Sequence, residues 1–213
     1  MDEHVALLER PRSPPDGFRF RVARSDDLWE PRIMGYRDRL PQLDADRPFL
    51  ADGGLETTLI FHRGIDLPHF AAFDLLRTDA GREELRRYFE PYVELARERE
   101  VGMVLDTATW RASPDWAQRL GYSPDDLDDA NRAAVALAEE IRALGEDERT
   151  PIVVNGVVGP RGDGYDPAEL MSANEAEAYH SRQIATFADG VTRFERGDLA
   201  GADASFSSVI AGS

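Results

Sequence analysis

Three short apolar runs, each closed by a small-residue polar turn, constrain this chain more than any other feature. They are Phe49-Leu-Ala-Asp-Gly-Gly-Leu-Glu-Thr-Thr-Leu59, Val104-Leu-Asp-Thr-Ala-Thr-Trp-Arg-Ala-Ser113 and Ile152-Val-Val-Asn-Gly-Val-Val-Gly-Pro-Arg-Gly-Asp-Gly-Tyr165. Continuous apolar runs of this length suit the buried strands of a parallel sheet, and polar residues at their ends suit a binding site at the C-terminal rim. The expected strands are Phe49–Ala51, Val101–Thr107 and Ile152–Val158.

Helix patterns separate them. After Thr78, residues Leu85, Tyr88, Phe89, Tyr92, Val93 and Ala96 share one face, and Pro91 inside that run predicts a kink or a broken turn. Ser123-Pro-Asp-Asp126 carries a capping serine, a proline suited to the first helical position and an acid for the positive helix end. The stripe Leu127, Ala130, Ala134, Leu137, Ala138 and Ile141 follows. Ser172-Ala-Asn-Glu175 is a second capping box; it opens a helix carrying Tyr179, Gln183, Ile184 and Phe187, with Asp189-Gly190 as its stop signal.

Three βα units in succession predict an α/β fold with a parallel sheet and helices packed outside. Polar strand ends favour a partial (β/α)8 TIM-type barrel over a doubly wound sheet. The expected organisation is an N-terminal arm over residues 1–45, a partial barrel domain over 46–189 and an irregular tail over 190–213. The arm is rich in Arg, Asp and Pro, with one short helix around Val5–Leu8, and Met34 looks like a natural start, making 1–33 an extension. A fourth Val/Ile-rich strand is expected after Gly190 and does not follow. A whole barrel needs roughly 200 residues or more, so the chain is expected to hold about three-eighths of one, truncated or frameshifted near Asp189. The unpaired edges of strands 1 and 3 would then invite self-association and poor solubility.

Net charge is −16 over 213 residues, which disfavours nucleic acid and anionic membrane as partners. No apolar run approaches the ~20 residues of a membrane span, and Met1-Asp-Glu-His lacks a secretory start. With no cysteine, the chain reads as cytoplasmic. All 25 Lys-or-Arg positions are arginine, so lysine Schiff-base, pyridoxal phosphate and P-loop chemistry are excluded within it.

At the first strand end, Gly53 and Gly54 would let a ligand approach the backbone and expose N–H groups to a carboxylate, while Asp52 would hold an ammonium group. The plain alternative is a tight βα turn capped by the aspartate. Thr57 is read as a helix N-cap or a substrate contact. Thr107 and Thr109 offer hydroxyls at the second strand end; Trp110 and Trp116 either line an apolar wall or pack beneath a loop. Asn155-Gly156 and the run Gly159 to Tyr165 form a third loop, whose Arg-Gly-Asp tripeptide has no integrin-like context here. His4, His62, His69 and His180 show no metal-ligand spacing, so no metal residue is assigned.

In order and wording, the three segments resemble the homocysteine S-methyltransferase family over residues 49 to about 188. The resemblance implies a barrel enzyme that transfers a methyl group to the thiol of homocysteine, giving methionine. It implies substrate-binding roles for Asp52, Gly53, Gly54, Thr107, Thr109 and Asn155, and leaves the catalytic residues unknown. It implies zinc, held by thiolates of an Asn-Cys and a Gly-Gly-Cys-Cys motif that this cysteine-free chain lacks. Ala108 replaces a usual asparagine, and Glu100 stands where a glycine usually ends the first helix. The partners implied are homocysteine and a methyl donor, which S-methylmethionine, betaine, adenosylmethionine or a folate would satisfy. Two other readings stand beside this one. The first is a non-catalytic fragment or partner-dependent interaction module. The second is an adenosylmethionine-dependent Rossmann methyltransferase, whose Gly-rich loop Leu50–Glu56 faintly resembles, with Glu56 in place of the second glycine.

Overall fold

The structure is a computed structural model that describes residues 40–44, 46–164 and 170–195. The expectations for residues 1–39, for Tyr165 and for the tail beyond 195 lie outside the described residues. Elements follow one another as α1 (Pro41–Asp44), β1 (Phe49–Ala51), α2 (Leu55–Thr57), α3 (Asp79–Arg99), β2 (Gly102–Asp106), α4 (Pro114–Arg119), α5 (Pro124–Gly145), β3 (Ile152–Asn155) and α6 (Ala173–Glu195). A π-helical turn over Thr58–His62 and 3-10 turns over Pro68–Phe70 and Ala72–Arg77 link α2 to α3.

The strands form a parallel sheet in the order β1-β2-β3. Ala51 pairs with Val104, and Asp106 pairs with Asn155. Their polar C-terminal residues therefore lie side by side at one end of the sheet. Met103, Leu105 and Ile152 are fully buried beneath the helices, against Leu85, Phe89 and Ala96 of α3 and Ala134, Leu137 and Ile141 of α5. Both expected apolar stripes thus face the core.

Local chemistry explains the helix boundaries. Thr78 accepts a hydrogen bond from the Gly81 amide and starts α3. Ser123 and Asp126 form a complete capping box on α5, and Ser172 and Glu175 exchange the same pair of bonds at the start of α6. Gly81 is required by packing: a Cβ there would lie 2.1 Å from the Leu75 carbonyl oxygen.

Several expectations need correction. α3 runs through Pro91 with no broken turn. Proline has no N–H to offer the Arg87 carbonyl, and the Arg63 guanidinium takes that place, with Nη2 donating at 2.9 Å. α6 continues past Asp189-Gly190 to Glu195, so the boundary expected at 189 falls inside a helix. Gly190 is buried against Val135 of α5, where only a small residue fits, and Asp189 is tied to Arg132 at 2.9 Å. Strand β3 stops at Asn155 rather than Val158, because Gly156 turns in against the Phe187 ring and Val158 is left 40% exposed. Strand β2 is likewise one residue shorter at each end. Ile184 is 55% exposed; Gln183 and Thr186 take the inward positions of α6 instead. Thr57 makes no side-chain cap, and Gly54, in the left-handed region at φ 68°, is the N-cap of α2. Among the described residues no helix is long and apolar enough to cross a membrane.

Candidate functional site

Asp52, Asp106 and Asn155 sit at the ends of three adjacent strands. Asn155 Nδ2 donates to Asp106 Oδ1 at 2.7 Å, and Asp106 repels charge on Asp52. Burial, then Asp106, pushes the Asp52 carboxyl up to about 6. Burial also raises Asp106, with the Asn155 hydrogen bond opposing, and raises Glu56, with a backbone bond and Arg111 opposing. Several desolvated carboxyls at one strand-end rim are a recognised mark of a functional site.

Two tyrosines of α3 complete the Asp52 environment. Tyr88 Oη lies 3.0 Å from Asp52 Oδ2 and 2.8 Å from the Gly53 carbonyl, and Tyr92 Oη lies 3.2 Å from that carbonyl. Tyr88 has one hydroxyl hydrogen for two acceptors. When Asp52 is ionised, Tyr88 serves it and Tyr92 serves Gly53. When Asp52 is protonated, its own O–H can turn to Tyr88, which then donates to Gly53. Both protonation states are therefore accommodated. Burial and the Asp52 charge push the Tyr88 phenol far up, so it stays a donor. Asp52 Oδ1 is buried and makes no hydrogen bond of normal geometry, a costly arrangement for a carboxylate that the nearby Asp52 and Asp106 amides relieve only in part.

Gly53 differs from its neighbours. Gly54 needs its positive φ, whereas a Cβ at Gly53 would meet no protein atom within 4 Å. Nothing in the chain's own packing demands glycine there.

Thr107 and Thr109 are placed at the same rim but their hydroxyls are turned inward. The Val157 amide donates to Thr107 Oγ1, at 2.9 Å. The two hydroxyl oxygens lie 2.7 Å apart, and Thr109 donates to the Val157 carbonyl at 2.8 Å. This closed ring fastens the end of β2 to the turn after β3, and both residues are under 5% exposed. Trp110 and Trp116 flank the Arg111 guanidinium rather than an open apolar wall.

Sequence reasoning brings forward Asp52, Gly53, Gly54, Thr107, Thr109 and Asn155; it misses Asp106 and Tyr88, which lie against Asp52. Asp106 carried a usable signal, as the last residue of an apolar strand beside Thr107. Tyr88 carried none, because an aromatic on an apolar stripe reads as core.

The residues do not fit a thiolate-held metal. The chain has no cysteine, and among the described residues no group of three His, Asp or Glu could hold a metal ion.

The family model for homocysteine S-methyltransferases matches residues 49–198. The chain belongs to the homocysteine S-methyltransferase family. Its fold is similar to that of the homocysteine methyltransferase MmuM from Escherichia coli in its metallated form, with a TM-score of 0.55 and 24% identity. That likeness covers 74% of this chain and 54% of the other, so the chain spans about half the length of that protein. No protein with a curated description matches.

Proposed function

We propose that the chain forms the amino-acid-binding part of a homocysteine S-methyltransferase, built on three βα units of a (β/α)8 barrel. The proposed domain runs from residue 46 through α6. A sheet order of β1-β2-β3 suits both a barrel and half of a doubly wound sheet. What favours the barrel is α6, which lies along α5 on the same side, through Arg132–Asp189, Arg182–Asp128 and Gln183–Asn131. The family match stands against the Rossmann methyltransferase reading.

The single observation that carries the binding assignment is the buried Asp52 Oδ1, with no hydrogen bond of normal geometry, beside the sterically open Gly53. An ammonium group from an amino acid supplies the missing donor, and the open backbone at Gly53 leaves room for its α-carbon and carboxylate. Asp106 and Asn155 extend the polar floor. In the reaction proposed, the homocysteine sulfur takes the methyl group and methionine results. The roles assigned to this chain are binding roles, consistent with its lack of thiolates, and activity of the chain alone is expected to be weak or absent. A cytoplasmic setting fits its acidic, cysteine-free composition.

Calorimetric titration with homocysteine and with 4-mercaptobutyrate, the same thiol acid without the α-amine, tests the assignment. Binding of homocysteine with at least about tenfold preference over the amine-free acid is expected. Equal affinities would remove Asp52 from the role.

A second reading, a non-catalytic or partner-dependent module, has its own observation. Among the described residues β1 and β3 each keep one unpaired edge, which another chain could extend. Failure to bind homocysteine alone, with binding restored by a second polypeptide, would favour it.

A further inference from the structure

Beyond the Thr107–Thr109–Val157 ring, the loop after β3 is held to the segment after β2 by a side chain that the proposed function does not use. Arg111 is 6% exposed, and its Cζ lies 4.2 Å from the Trp110 ring centre and 3.9 Å from that of Trp116. From between the two indoles, its Nη1 donates to the Gly162 carbonyl at 3.0 Å. Trp116 Nε1 donates to the same oxygen at 3.1 Å. Asp163 Oδ1 lies 3.9 Å from Arg111 Nη2. Backbone contact reinforces the junction, since a Cβ on Gly159 would lie 1.8 Å from the Trp110 carbonyl oxygen. Gly162 itself sits at φ +67°, where a side chain would be strained.

The first loop joins the same cluster. His69 stacks near Trp116, with ring centres 5.9 Å apart, and it reaches that place through two successive left-handed residues, His69 at φ 56° and Phe70 at φ 58°. Such backbone costs energy and persists only where its surroundings hold it. The Arg111 charge also stabilises the carboxylate of Glu56. A planar cation stacked on two rings with a directed donor at its tip is a task for arginine and a poor one for lysine.

We propose that Arg111 is a positioning residue that pins the Gly159–Gly164 loop to the Trp110–Trp116 segment and thereby sets amino-acid affinity at the strand ends. The affinity half rests on the homocysteine-binding reading; the pinning half does not. The loop contains a built-in reporter, the Arg161–Gly162 bond, which trypsin cuts faster the more freely the loop opens into the protease's extended-chain groove.

The experiment is brief tryptic digestion of the full chain, with cleavage at Arg161 followed by mass spectrometry. Arg111→Met is expected to speed that cleavage about tenfold and Arg111→Lys by an intermediate amount. Homocysteine affinity is expected to fall about tenfold in Arg111→Met and to recover in part in Arg111→Lys. Unchanged cleavage in a cooperatively melting Arg111→Met protein overturns the proposal. If that variant does not fold, Trp116→Phe, which removes the Nε1 donor and part of the ring face under Arg111, is expected to speed cleavage about threefold, and an unchanged rate there overturns it equally. Wild-type protein that binds no homocysteine overturns the binding reading, while the cleavage rates still decide the pin.

Discussion

Tyr88 Oη lies 3.0 Å from Asp52 Oδ2, joining the face of α3 to the end of β1 across 36 residues of sequence. That bond supports the ionised form of a carboxyl that burial otherwise drives toward protonation. Tyr88→Phe should therefore raise the Asp52 pKa further above about 6 and lower stability by about 1 kcal/mol. Carboxyl-resolved NMR titration and urea unfolding measure the two effects. A lowered pKa would reverse the assigned direction of the bond.

Asp52 should also shape stability against pH. Its folded pKa of about 6 exceeds the ordinary 3.8, so the folded state holds the proton more tightly than the unfolded chain. Stability from this group is fully present below pH 3.8 and is lost as pH rises toward about 6. The loss is at most about 3 kcal/mol. Asp52→Asn should accordingly stabilise the protein by about 1 to 3 kcal/mol at pH 7.5, with the difference vanishing toward pH 4. Urea melts at the two pH values test this, and a destabilised variant at pH 7.5 would contradict it.

Glu100 closes α3 in the left-handed region, at φ 52° and ψ 42°. That geometry suits glycine, and a side chain there costs about 1 kcal/mol. Its ion pair with Arg149 is exposed on both sides and offsets little. Glu100→Gly should raise stability by about 0.5 to 1 kcal/mol without altering ligand affinity. Thermal melts settle this, and a lower melting temperature would show that the Arg149 pair matters more.

Much of this architecture was legible from residue pattern. The stripes of α3 and α5, the capping residues Ser123 and Ser172, and the polar ends of three strands all follow from local rules, and the structure honours them. What the pattern obscured was set by tertiary neighbours. Pro91 lies where Arg63 replaces the missing donor, and Gly190 lies mid-helix in close packing against Val135. Thr107 and Thr109 looked like ligand donors but are consumed by each other and Val157. Asp106 and Tyr88 join the site only through the register of β2 with β3 and the docking of α3 on β1, neither of which a single residue announces.

The most direct test is homocysteine affinity at pH 5 and pH 7, in wild type and in Asp52→Asn. The account predicts wild-type binding that tightens about tenfold between the two, as Asp52 ionises, and a variant that binds weakly with no such dependence. Wild-type affinity independent of pH, or an Asp52→Asn variant that binds as tightly as wild type, would contradict it.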